Sequence, residues 1–332
     1  MTGRSGAPRR GLLAAAALGA LPVPYLARAD AAWPNRPVRL IVGYPAGGST
    51  DICARILAED FRTRLPQPVV VENRTGANGS LGAAHVAQAT DGHTLLVSNT
   101  STMTVNHLLY RDARYHPLRD LLPIATITIS PFILVINPRN PRLQGVRTLQ
   151  DLAALARRQP GRVTYASAGV GNLQHLHMEQ LLTLAGVQML HVPYRGSSLA
   201  TNAMVAGEVD VLLDNPTTGG PLIQAGTFAA LATTGETRWR ELPEVPTAKE
   251  SGYPDFTAVF WNGLVAPANT PPELVQRLYA MMQAAAESST ARPPLLAQGD
   301  IFVLDPARFR ERIAADIERN AAAIKAVGIE MQ

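Results

Sequence analysis

The sequence is poor in cysteine, lysine, aromatic rings and charge. A single cysteine, Cys53, in 332 residues excludes a disulfide framework and a cysteine-built zinc site. The two lysines, Lys249 and Lys325, precede Glu250 and Ala326, so there is no Gly-Lys-Ser/Thr phosphate loop. The same scarcity speaks against Schiff-base chemistry. Gly169-Val170-Gly171 continues as Asn172-Leu173-Gln174, which fails the dinucleotide fingerprint, and no Gly-x-Ser-x-Gly elbow occurs. Charged residues make up 17% and aromatics 5%, against 46% hydrophobic residues. That hydrophobic share is ordinary for a globular chain and argues against wholesale disorder.

The formal charge of +4 hints at nucleic acid, but the hint resides in the first residues. Residues 1–29 contain Arg4, Arg9, Arg10 and Arg28 and no Asp or Glu; without them Lys+Arg falls from 30 to 26, against 26 Asp+Glu. A neutral surface has no electrostatic footprint for a phosphate backbone, so no nucleic-acid partner is expected. The same residues read as a cleaved signal peptide. Arg9-Arg10 is a basic start, Gly11 to Leu21 an apolar run, Pro22 and Pro24 break it, and Ala27-Arg28-Ala29 fits a small-x-small cleavage site. The run is about half of the ~20 residues that span a bilayer. Arg-Arg before Gly-Leu-Leu loosely resembles a twin-arginine signal, which leaves Sec and Tat export both open. No later segment holds 18 uncharged apolar residues. The expected location is the periplasm.

Beyond the leader, strand-like and helix-like segments alternate, and the length favours two domains. Val38 to Val42, Val69 to Val71 and Thr94 to Val97 are β-branched or apolar runs; helical patterns lie between them. This alternation predicts a parallel sheet covered on both faces. Ile124 to Ile136, interrupted by Pro131, reads as a strand crossing between domains, and Phe228 to Thr234 as the return. Between them Val163 to Ala166, Leu190 to Val192 and Val209 to Leu213 give a second strand series. Pro271-Pro272 opens a helix with Leu274, Leu278, Met281 and Met282 on one side. Phe309, Ile313, Ile317 and Ile324 form the apolar stripe of a terminal helix. The expected organisation is a leader (1–29), one lobe from 31–128 plus 233–332, and a second lobe from 129–232.

Two Gly-rich turns fall at the carboxyl ends of strands, where α/β sheets hold ligands. Ala46-Gly47-Gly48-Ser49-Thr50-Asp51 runs into a helix start, and Ser167-Ala168-Gly169-Val170-Gly171-Asn172 into another. A helix start offers unpaired N–H groups and a positive dipole end, which favour an anion. Facing one another across a cleft, the two turns define a ligand site. Other residues carry two readings each. His175 and Glu179 share a helix face as an acid–base or metal pair, or as a surface contact. Cys53 is a buried small residue or a reactive thiol. Asp214 points into the cleft or serves the turn it precedes. Trp261-Asn262-Gly263 is a cleft wall or core.

The chain resembles the periplasmic solute-binding receptors of tripartite tricarboxylate transporters, the TctC or Bug family. The resemblance rests on Pro45-Ala46-Gly47-Gly48-Ser49-Thr50-Asp51 with Ala54-Arg55, Val71-Glu72-Asn73-Arg74 with Gly76-Ala77-Asn78-Gly79, and Tyr165-Ala166-Ser167 with Gly169, Gly171, His175 and Glu179. It continues through His191-Val192-Pro193-Tyr194-Arg195-Gly196, Gly207-Glu208-Val209-Asp210, Leu242-Pro243 and Trp261-Asn262-Gly263-Leu264. Order and spacing hold from about residue 33 to 330. The family implies an α/β, two-lobed type II periplasmic-binding-protein fold with a central ligand cleft. It implies a carboxylate held by Tyr44, Ala46, Gly47, Gly48, Ser49 and Thr50, by Ser98, Asn99 and Thr100, by Ser167, Ala168, Gly169, Gly171 and Asn172, and reached by Asp214. Four places depart from the family pattern: Tyr44 before Pro45, Asn172-Leu173-Gln174 in place of small hydroxyl residues, Leu213 before Asp214, and a shorter stretch around Pro293 to Asp305. The expected ligand is a small organic carboxylate, whether mono-, di- or tricarboxylate, amino or aromatic acid. The expected partners are the membrane subunits of the transporter, with the receptor a monomer and with no cofactor, metal or catalytic residue. Two alternatives are an orphan receptor feeding a sensor protein and a periplasmic enzyme acting on small acids.

Overall fold

β-branched runs and capped helices alternate along the chain in a computed structural model that describes residues 2–3 and 33–330. The expected leader, apart from residues 2–3, lies outside the described residues, and from Pro34 onward the chain forms one body. Strand β1 (Val38–Val42) leads into α1 (Ser49–Arg62), and β2 (Val69–Asn73) into a 3-10 turn (Ala77–Gly79) and α2 (Ser80–Ala87). Next, β3 (Thr94–Asn99) leads into the short α3 (Thr100–Thr104) and α4 (Asn106–Leu109). β4 (Leu121–Pro131) and β5 (Ile133–Ile136) follow one another directly, and α5 (Leu149–Arg158) comes after them. The middle of the chain runs β6 (Thr164–Ser167), α6 (Leu173–Ala185), β7 (Leu190–Pro193), α7 (Ser197–Val205), β8 (Val211–Asp214), α8 (Pro216–Gln224) and β9 (Ala229–Thr233). It ends with β10 (Val259–Pro267), α9 (Pro272–Glu287), α10 (Arg292–Leu296), β11 (Asp300–Ile301) and α11 (Pro306–Val327).

The strands form two sheets, ordered β11-β4-β10-β3-β1-β2 and β7-β6-β8-β5-β9. The expected parallel sheet holds only in part. β3-β1-β2 and β7-β6-β8 are parallel, but β4, β10 and β11 pair antiparallel, as do β5 with β8 and β9. The cause is the segments that pass between the sheets. β4 runs out of the first sheet straight into β5 of the second, and β10 comes back into the first between β3 and β4. A strand entered from the other sheet arrives without a crossover helix and so pairs antiparallel. Where the passages meet, Phe132 N–H donates to Thr234 Oγ1 (2.9 Å), Thr234 N–H to Phe132 O (3.0 Å) and Ala258 N–H to Thr234 O (2.9 Å). This seam of three strands is the joint between the sheets.

Helix α11 starts at Asp305, whose side chain accepts the Arg308 N–H, with Pro306 at its first position, and ends at Gly328 in the left-handed region. Both ends follow the usual capping chemistry. Its buried face carries Phe309, Ile313 and Ala323, but also Asp316 and Asn320; Ile317 and Ile324 are half-buried. The purely apolar stripe is therefore corrected. Asp316 Oδ2 accepts the Trp261 indole N–H at 2.9 Å, and Asn320 Nδ2 donates to Thr104 Oγ1 at 2.7 Å. On α9 the buried positions are Val275, Leu278, Met281 and Met282, with Leu274 only half-buried.

Candidate functional site

Loops at the strand ends of both sheets close on a cavity of about 30 Å³. From the first sheet come Tyr44, Pro45, Gly48, Ser49, Thr50, Asn99 and Ser101; from the second Ala168, Asn172, Leu173, Gln174, Ser197, Ser198 and Asn215. Phe132 and Phe260, beside the joint, form its apolar side. None of its lining residues is charged. The positive potential comes from backbone instead. Helices α1, α7 and α8 begin at Gly48, Gly196 and Asn215 with no side-chain cap, so their dipole ends remain available, with the first N–H groups of α1 and α7; α8 opens on Pro216, which has none.

The first loop is tied down by Asp51. Its carboxylate accepts from Gly47 N–H (3.0 Å), Arg55 Nε (2.9 Å) and Asn73 Nδ2 (2.8 Å), and Asn73 also donates to Tyr44 O (2.9 Å). Burial alone would raise the Asp51 carboxyl; the bonds from Arg55, Gly47 and Asn73 outweigh it and hold it below the usual carboxylate range. Below the loop, Thr50 Oγ1 donates to Asn262 Oδ1 (3.0 Å) and accepts from Asn99 Nδ2 (2.9 Å), while Asn262 Nδ2 donates to Ser49 Oγ (3.0 Å). The Tyr44 hydroxyl donates to Asn78 O at 2.8 Å and lies 3.1 Å from Thr102 Oγ1; burial pushes its pKa well up.

The two sets of loops touch. Leu173 N–H donates to Ser101 Oγ (3.1 Å), the Tyr110 hydroxyl to Val170 O (2.5 Å) and Ser198 Oγ to Ala46 O (3.5 Å). Two buried polar atoms on the cavity have no partner, the donor Gln174 Nε2 and the acceptor Asn215 Oδ1. Buried polar groups in native proteins are almost always paired, so these two atoms are candidates to bond whatever fills the cavity.

Of the residues expected from sequence, Tyr44, Gly48, Ser49, Thr50, Asn99, Ala168 and Asn172 line this cavity. Gly169 lines a neighbouring chamber instead. Ala46 and Gly47 are exposed on the loop. Thr100 Oγ1 is occupied by Trp261 N–H (2.9 Å), and Ser98 is buried outside the cavity lining. Ser167 Oγ contacts His191 Nε2 at 2.6 Å, and Gly171 N–H donates to His175 Nδ1 at 3.0 Å. Asp214 is fully buried off the cavity, accepting from Thr218 Oγ1 (2.5 Å), Asn215 N–H (2.8 Å) and Thr201 Oγ1 (3.0 Å). Burial raises its carboxyl to about 6. Ser101, in the turn after β3 that the resemblance also implicates (98–102), lines the cavity as well; Gln174, Ser197, Ser198 and Asn215 were not read from the sequence. The signal for the last three was local: Gly196-Ser197-Ser198 and Asn215-Pro216 are both helix openings after a strand.

His175 and Glu179 do not bond each other; the Glu179 carboxylate accepts from the Tyr165 hydroxyl. His175 stacks on His191 with ring centroids 3.9 Å apart and planes 7° apart. Burial lowers His175 to about 4, and burial together with the nearby His175 lowers His191 to about 3. Both are therefore neutral props of the 167–171 turn. Their stabilising contribution is complete above pH 6.5 and is lost as pH falls from there towards 3, because the unfolded chain takes up the protons first. Melting temperature should fall over that window, and His191→Gln should flatten the slope; an unchanged slope would remove these imidazoles from the account. Elsewhere, Cys53 is fully buried and its thiol is pushed up to about 12 by burial. Trp261 is core, fully buried and edge-on to Phe309 at 5.0 Å.

Two α/β lobes meeting at a cleft rimmed by helix starts define a protein of the periplasmic-binding class, with the type II fold. The chain superposes on the R. palustris protein Rpa4515 with adipate at a TM-score of 0.85, with 30% identity over 90% of this chain and 99% of that one. MatC from Rhodopseudomonas palustris with bound malate gives 0.80, with 30% identity over 88% and 100% of the two chains. Protein BugT of Bordetella pertussis is 36% identical over 305 residues, covering 90% of this chain and 92% of BugT. The family model of the tripartite tricarboxylate transporter family receptor, TctC, matches residues 53–329, and the chain belongs to that family.

Proposed function

We propose that the chain is an extracytoplasmic receptor that captures a small organic carboxylate between its lobes and delivers it, as a monomer, to a tripartite tricarboxylate-type secondary transporter. The observation that carries this reading is the cavity itself. It offers the unpaired Gln174 Nε2, serine and threonine hydroxyls and three uncapped helix starts, with no Lys or Arg to neutralise an anion outright. Such a site holds a carboxylate by hydrogen bonds to its charged oxygens, which are about twice as strong as neutral ones. The adipate and malate of the structural neighbours agree with this chemistry. No bond is made or broken in this reading. His175 and Glu179, the pair that an enzyme would use, are engaged by Gly171 and Tyr165.

The test is a melting screen of ligand-stripped protein against aliphatic, aromatic and amino carboxylates with their neutral amides. A ligand at 100 times its Kd adds about 2.7 kcal/mol, a readable shift. Carboxylates that raise the melting temperature while their amides do not support the receptor reading; acids and amides acting alike, or acids being turned over, overturn it.

A further inference from the structure

Beside the inner cavity lies a larger chamber of about 740 Å³. Tyr44, Pro45 and Ala168 line both spaces, so the two adjoin. The inner cavity, at about 30 Å³, has room for a small anionic group. The chamber lies within the ~300–1,000 Å³ typical of small-molecule sites. A ligand too long for the inner cavity has the chamber beside it.

The chamber's chemistry differs from that of the cavity. Tyr110 and Tyr194 both line it, and Arg195 is the single charged side chain lining it among the described residues. Tyr110 is held by its bond to Val170 O, and the Tyr194 hydroxyl donates to Glu208 at 3.3 Å. The backbone on either side of Arg195 is fixed. Tyr194 N–H donates to Ser167 O (2.9 Å) and Gly196 N–H to Ala168 O (3.1 Å), so the backbone that presents the guanidinium is pinned to the turn that lines the inner cavity. The exposed Arg195 has no acidic partner among the described residues. A cation on a chamber that no acid lines among the described residues selects for negative charge.

We propose that the outer chamber is a second subsite, in which Arg195 receives the anionic far end of an elongated acid whose first carboxylate sits in the inner cavity and whose body lies between Tyr110 and Tyr194. This rests on the carboxylate reading above and adds to it the length and second charge of the ligand. Arg195 is then the residue that separates diacids from mono-acids.

The test measures affinity by calorimetry on ligand-stripped protein for α,ω-diacids of increasing length, each against its own ω-amide, which keeps the size and loses the far charge. Affinity should rise with length until the far carboxylate reaches Arg195, and the diacid should then bind about tenfold more tightly than its amide, the scale of one charge-assisted bidentate contact at a half-wet site. Arg195→Gln should abolish that gap while leaving the affinity for the ω-amide unchanged, and Arg195→Lys should restore part of it. Equal binding of diacid and ω-amide by the wild type would overturn the second subsite and leave the carboxylate receptor standing. Equal loss of both ligands in Arg195→Gln would do the same. Failure of every acid to bind would overturn both.

Discussion

Gly196→Ala is expected to weaken ligand binding by about tenfold or more while leaving two folded lobes. Gly196 sits at φ 125°, before α7, and a Cβ placed there would come within 2.9 Å of Pro45 Cδ. Pro45 belongs to the loop of the other sheet. The added methyl therefore acts on the closed state, where overpacking costs about 1–3 kcal/mol. A cost borne by the closed state alone appears as lost affinity. The backbone strain of alanine in this region, also about 1–3 kcal/mol, burdens open and closed forms alike and appears as a lower melting temperature. Pairing the substitution with Pro45→Gly separates the two effects: the double variant should recover affinity and keep the lowered melting temperature. Affinity that stays low in the double variant would show that the methyl does not act through Pro45.

Trp261→Ala should destabilise the protein by about 3–5 kcal/mol, the range for deleting a large buried aromatic. Trp261 has no solvent exposure, packs edge-on against Phe309 and donates to Asp316. Its backbone N–H also holds Thr100, and the next residue, Asn262, holds Ser49 and Thr50. The loss should therefore be accompanied by weaker ligand binding. Trp261→Phe keeps an aromatic ring, though a smaller one, and leaves Asp316 with Arg312 at 2.9 Å, so it should cost less than alanine, about 1.5–3 kcal/mol, the value of one hydrogen bond to a charged group. Urea unfolding of both variants gives the comparison; equal losses would place the energy in the indole N–H rather than in packing.

The parts of the fold legible in sequence are those whose residues serve one purpose. Apart from Arg39 and Thr94, Val38 to Val42 and Thr94 to Val97 are apolar because they are buried on both faces, and they read as strands. β10 was harder. Val259–Pro267 carries Asn262 and Gly263 at its centre, which break the strand pattern, yet the strand occupies the middle of a sheet. Asn262 is there for the ligand loop, and Gly263 lies under the Phe309 ring, where a Cβ would come within 2.9 Å. Asp316 and Asn320 look solvent-facing in sequence because nothing local announces Trp261 and Thr104 above them. In the site, the two Gly-rich turns were visible since glycine, serine and threonine before a helix have few other uses. Ser197, Ser198 and Asn215 come from two further helix starts, and their convergence on one cavity is a property of the sheet order rather than of any short segment. Asp214 carried two readings in sequence, and the structure spends it on Thr201 and Thr218.

The position of β10 also sets an order of assembly. The second sheet draws its strands from one stretch, residues 133–233, whereas the six-stranded sheet needs residues 38–131 and then 259–301. Until β10 arrives, β3 and β4 have no shared neighbour, and each shows the unpaired edge that invites wrong partners. No N-terminal fragment ending before residue 259 can complete that sheet. The loop that must close to bring β10 beside β3 spans a whole lobe, so the contact that sets Asn262 beneath the ligand loop is one of the long-range closures that slow folding.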